Sequence, residues 1–132
     1  MKLFRKIFNR EKSEENVPLI LSTDLLNITN PSYKQVVEHI KGIFDKDKYI
    51  KLTYSMDESD KNPYIKASAN KNGKDYDIEY YPGEKDIKYF LQASDVEQTM
   101  CFFRDFTEMH KLVDFDLENN DWEKKTKDWR NI

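Results

Sequence analysis

The sequence predicts an α+β domain: a four-stranded antiparallel meander sheet, two main helices packed on one face, and a short C-terminal helix. Two observations predict it. Apolar spacing switches from helical to alternating at Tyr49 and back to helical after Ser94. The turn pairs Asn72-Gly73 and Pro82-Gly83 fall between the alternating runs. The 132 residues suit one core, with residues 1–16 as a basic leader and polar linker and residues 17–132 as a single domain. Charged residues make up 36%, but 14% are aromatic, and disordered chains lack that aromatic content.

The first twelve residues stand apart. Lys2, Arg5, Lys6, Arg10 and Lys12 against Glu11 give them a net +4, leaving -7 for the rest. Leu3, Phe4, Ile7 and Phe8 share one side of a helix among these bases. Charge interrupts the apolar positions and no apolar stretch follows, so this is not read as a signal peptide. Docking on an anionic membrane surface through these four side chains is the alternative role for the chain.

Asn30-Pro31 opens the next element, with Asn as N-cap and Pro in the first turn, where its missing N–H costs no bond. Tyr33, Val36, Val37, Ile40 and Phe44 recur at helical spacing, which predicts a helix over 31–44. Then Ile50, Leu52, Tyr54 and Met56 alternate with Lys51, Thr53 and Ser55. Residues 64–70 alternate again, and the return strand sets Tyr76, Ile78 and Tyr80 against Asp75, Asp77 and Glu79. A fourth strand covers 87–93.

Ser94-Asp95-Val96-Glu97 has the form of a capping box, and Val96, Met100, Phe103 and Phe106 continue an apolar face over a helix spanning 95–111. Val113, Phe115 and Leu117 alternate with acids, which suggests a short extended piece. Asn120 is expected to cap a last helix carrying Trp122 and Trp129, its acids first and bases last as the helix dipole favours.

No residue pattern dictates a reaction, and the chain is expected not to be an enzyme and to carry no cofactor. His39 and His110 read as structural or solvent-facing. Cys101, beside Phe102 and Phe103, reads as a small buried thiol. As the one cysteine it forms no intramolecular disulfide, which suits a reducing compartment, here the cytoplasm. The run Asp114-Phe115-Asp116-Leu117-Glu118 starts like a calcium loop, but Asn119 replaces the required Gly and Lys125 the final Glu. No metal is expected there. Asp75, Asp77 and Glu79 share a strand face with Lys66 and Lys88 on the flanking strands, placed to neutralise them.

Two surfaces are candidates for binding a protein. On the sheet face turned from the helices, Tyr64, Tyr81 and Phe90 are expected to point outwards with Asp77 and Glu79. Between Asp105 and Glu123, seven acids including Asp114, Asp116, Glu118 and Asp121 face Lys111 alone. Such a field attracts a basic protein and repels phosphate backbones, so nucleic acid is not expected as a partner.

The hairpin Tyr76-Asp77-Ile78-Glu79-Tyr80 with its Pro82-Gly83 turn and Tyr89-Phe90-Leu91, the helix with Phe102, Phe103 and Phe106, and the Trp122…Trp129 ending resemble small immunity proteins of bacterial polymorphic-toxin systems. The resemblance spans residues 49–129 and rests on element order and aromatic placement. It implies a compact α/β domain without catalysis that occludes a cognate toxin in the cytoplasm. Many such toxins are basic nucleases, which would suit the acidic stretch. The basic leader departs from the usual pattern.

Overall fold

In the computed structural model, which describes residues 17–56, 62–83 and 87–126, the alternating runs become the centre of an antiparallel sheet. In chain order the elements are β1 (Leu19–Thr23), β2 (Asn27–Thr29), α1 (Tyr33–Lys41), a 3₁₀ turn (Gly42–Phe44), β3 (Tyr49–Tyr54) and β4 (Tyr64–Ala69). There follow β5 (Tyr76–Tyr81), β6 (Lys88–Ser94), α2 (Val96–Met109), α3 (Asp114–Glu118) and β7 (Glu123–Lys125). The expected meander is present as β3-β4-β5-β6, but among the described residues the sheet has seven strands, in the order β2-β1-β3-β4-β5-β6-β7.

The added strands sit at the edges, where the sequence signal is weakest. Ile20 breaks the alternation of Leu19 and Leu21 with polar residues, and β2 and β7 have three residues each. Strand β1 is defined by its neighbours: Leu21 lies opposite Leu52 of β3 and Ile28 of β2. The short, polar β7 has all three residues exposed, a poor template for further strand pairing.

One sheet face carries the core. Ile50, Leu52, Ile65, Ala67, Tyr76, Ile78, Tyr80 and Leu91 meet Val36 and Ile40 of α1 and Phe102, Phe103 and Phe106 of α2, all buried. Each fully buried large apolar side chain contributes roughly 1.5–3 kcal/mol. The Tyr76 hydroxyl donates to the Ile40 carbonyl (3.0 Å), so its polar end is satisfied inside the core.

Helix boundaries follow capping chemistry more closely than spacing. Helix α1 starts after Ser32, which accepts from the Gln35 N–H while the Gln35 side chain accepts from the Ser32 N–H. Asn30 is not the cap. Its backbone is left-handed (φ 53°) and its side chain accepts from the Leu19 N–H, tying the helix entry to β1. The helix also ends earlier than expected, at Lys41, because Gly42–Phe44 tighten into the 3₁₀ turn. Helix α2 is capped by Asp95, which accepts from the Gln98 N–H at 2.8 Å, and not by Ser94. Ser94 is instead the buried last residue of β6, where its hydroxyl accepts from Thr99 and donates to Gln98. Left-handed His110 (φ 61°) ends α2 and stacks on Tyr54 with ring centroids 3.7 Å apart.

Two expectations for the tail are overturned. The acidic run predicted as extended is helix α3: burial of Asp116 and half-burial of Leu117 leave Phe115 outside, a helical and not an alternating pattern. The predicted helix after Asn120 is strand β7 as far as the described residues reach. Asn120 does not cap a new helix; its amide donates to the Asp116 carbonyl, and Trp122 turns back to donate to the same oxygen. Trp129 and the leader residues Leu3, Phe4, Ile7 and Phe8 lie outside the described residues.

Candidate functional site

The structure divides the predicted binding residues between two surfaces. Asp114, Glu118 and Asp121 are exposed on α3 and the loop after it, on the helix side of the sheet, where the Leu112 N–H donates to the core hydroxyl of Tyr80 (3.2 Å). Asp77, Glu79, Tyr81 and Phe90 lie on the opposite sheet face. Phe90 and Asp121 nevertheless line the same cleft of about 530 Å³, between β6 and the α3–β7 loop, with Asn119, Asn120 and Glu123.

The α3 corner combines charge with an exposed aromatic. Helix α3 presents Asp114 and Glu118 to solvent with Phe115, whose ring is 70% exposed. The alternating pattern sets Phe115 in the apolar row of an extended piece, but its place between two Asp residues is the sign in the sequence that it faces water. Asp116 belongs to the structure and not to the surface. It is buried, and its Oδ2 has no hydrogen-bond partner among the described residues.

On the sheet face, Glu79 is the one of the three acids that a flanking lysine pairs among the described residues; Asp75 and Asp77 are held by amides instead, and Lys66 lies over a tyrosine ring. Lys88 Nζ lies 3.3 Å from Glu79, and the Tyr64 hydroxyl donates to the same carboxylate. Lys51 Nζ sits over the Tyr64 ring at 4.3 Å, and Lys66 over Tyr49 at 4.9 Å. Burial, and next the charge of Lys66, push the Lys51 ammonium below the usual lysine range. Burial followed by the Glu79 bond pushes the Tyr64 phenol up. Asp77 accepts from Asn70 (2.7 Å) and from the N–H of Ala93 (3.2 Å), holding Ala93 at φ 59° in the bulge of β6. Asp75 lies in the turn before β5, bonded to Asn72.

Tyr81 corrects the outward-facing set. It lies on that face but is only 2% exposed, its hydroxyl donating to the Gly83 carbonyl. Phe90 is half-buried, with Lys125 Nζ 5.6 Å from its ring. Replacing Phe90 by alanine is therefore expected to cost about 1 kcal/mol in a urea melt. A loss of about 3 kcal/mol would place the ring in a core.

Two residues depart from their expected roles. Cys101 is exposed on α2, not buried. His39 is paired: its Nδ1 lies 3.1 Å from Oδ2 of the buried Asp47. The partner is eight residues away and is brought back by the 3₁₀ turn, a distance at which helical spacing gives no hint. This pair borders a second cleft of about 590 Å³ with Leu25 and Leu26. Among the described residues no group of three or more His, Cys, Asp or Glu is placed to hold a metal. No described helix is long and apolar enough to cross a membrane.

The fold and this surface define an α+β domain with an antiparallel sheet, helices on one face and an acidic, aromatic-tipped corner. Comparison of the chain with protein-family models, with curated proteins and with solved structures finds no match.

Proposed function

We propose that this chain is a non-enzymatic binding protein that covers a basic protein partner through the α3 corner. The observation that carries the reading is Phe115, 70% exposed on a short helix and flanked by the exposed Asp114 and Glu118. An aromatic anchor among charges fits how interfaces divide their work. The ring supplies contact area and the acids raise the encounter rate with a partner of opposite sign. The cleft holding Phe90 and Asp121 adjoins this corner and would accept a side chain of the same partner.

The likeness to immunity proteins makes the partner a basic toxin domain, met in the cytoplasm and neutralised by occlusion. The test is capture from the native cell, with the bound proteins eluted by salt and identified by mass spectrometry. A basic protein released at high salt is expected. Reversing Asp114, Glu118 and Asp121 to Lys should weaken its capture at least tenfold while shifting stability by no more than about 0.5 kcal/mol per site. Phe115→Ala should do the same without changing charge. Capture indifferent to both variants would remove the corner from the model.

A further inference from the structure

The buried acid of α3 faces another acid. Asp116 is 9% exposed with Oδ2 unpartnered among the described residues, and the group within hydrogen-bonding reach is the Asp105 carboxyl of α2. Two ionised carboxylates offer each other only acceptors, so a bond between them requires a proton. The surroundings supply little else. Arg104 on α2 is half-exposed, its Nε 4.0 Å from Asp105 Oδ1. The Val113 backbone at the start of α3 acts on the Asp116 carboxyl in the opposite sense, favouring its ionised form. From the segment leading to β7, the neutral Asn120 amide and Trp122 indole both donate to the Asp116 carbonyl, each at 2.9 Å. Asp116 thus joins α2, α3 and the tail at one residue.

We infer that Asp105 and Asp116 form a proton latch: one shared proton fastens α3 to α2, and its loss leaves two facing carboxylates that release α3 and the segment behind it. Burial first, then the bond to Asp105 and its charge, hold the Asp116 carboxyl up at about 7. The folded chain therefore keeps a proton that the unfolded chain gives up near 3.8. More protons bound in the folded state means that stability falls as pH rises from about 4 to about 7. Because α3 carries Phe115, the latch would also set whether the proposed contact surface is assembled. That consequence rests on the binding reading, whereas the latch itself does not.

The indole N–H resonance of Trp122, assigned by its loss in Trp122→Phe, reads the latch by NMR in the full chain. In the wild-type protein it should shift between two positions with a midpoint between pH 6 and 8. In Asp116→Asn the amide can donate to Asp105 at every pH. The resonance should then stay at its acid position from pH 5 to 9. Asp105→Asn removes the facing charge and should lower the midpoint by at least one pH unit, a tenfold change in proton affinity; it decides alone if Asp116→Asn does not fold. His110, whose burial pushes its own proton affinity down, is the control, and His110→Gln should leave the midpoint in place. A resonance indifferent to pH, a midpoint unchanged in both Asp variants, or one abolished by His110→Gln would overturn the latch. Capture lost in Phe115→Ala tests the binding surface separately.

Discussion

Replacing Phe103 with alanine is expected to cost about 3–5 kcal/mol of stability, the largest single loss predicted for this chain. Phe103 is fully buried on α2, in the layer where Val36 and Ile40 of α1 meet the sheet. Truncation would remove most of an aromatic side chain from a site walled by two helices and a sheet. Little of the resulting cavity can collapse, so the lost transfer free energy and the cavity cost add. Urea denaturation checks it: the midpoint should fall sharply while the slope stays constant, because the same surface is exposed on unfolding. A loss below about 1 kcal/mol would mean that α2 does not pack through this ring. The contrast with Phe90 is informative, since the two residues have the same chemistry and differ only in what surrounds them.

The second large effect is expected at Trp122. Its ring packs on Phe102 (centroids 5.3 Å apart) and edge-on to Tyr89 (6.3 Å), and its indole N–H donates to the Asp116 carbonyl. Each aromatic pair contributes about 0.5–1.5 kcal/mol beyond area burial, and the hydrogen bond about 1 kcal/mol. Trp122→Ala should therefore cost about 2–4 kcal/mol, and Trp122→Phe, which keeps ring contacts but not the donor, about 1 kcal/mol. Thermal unfolding of both variants beside the wild type separates packing from hydrogen bonding. A cost below about 0.5 kcal/mol for the alanine variant would show that the tail is not fastened to the core edge through this ring.

How much of the candidate site was legible depended on which kind of signal each residue carries. The exposed acids Asp114, Glu118 and Asp121 could be found from composition, because a run of acids has few ways to be buried. Asp116 stands in the same run and is buried, and only the placement of α3 against α2 separates it from its neighbours. Phe115 departs from its alternating pattern for the same reason. Alternation suggested a strand, but a five-residue stretch with three acids carries almost no periodic information, and the docking of Leu117 against the core settled it as a helix. Tyr81 fits its strand pattern but is buried, its ring tilted against Tyr64 and its hydroxyl donating to the Gly83 carbonyl, contacts that alternation does not reveal.

What the amino-acid order determined by itself was local. The strands of the central meander, the faces of α1 and α2, and the neutralisation of Glu79 by Lys88 all follow from spacing within short windows, because side-chain direction repeats with the backbone. What only the tertiary structure decided was non-local. The strands β1, β2 and β7 are defined by their pairing outward from the two edges of the central meander, and Asp47 reaches His39 across a 3₁₀ turn. Asp105 and Asp116 meet for a related reason: contacts between residues distant along the chain are fixed when helices and sheet bury their apolar faces together, and no spacing rule encodes that step.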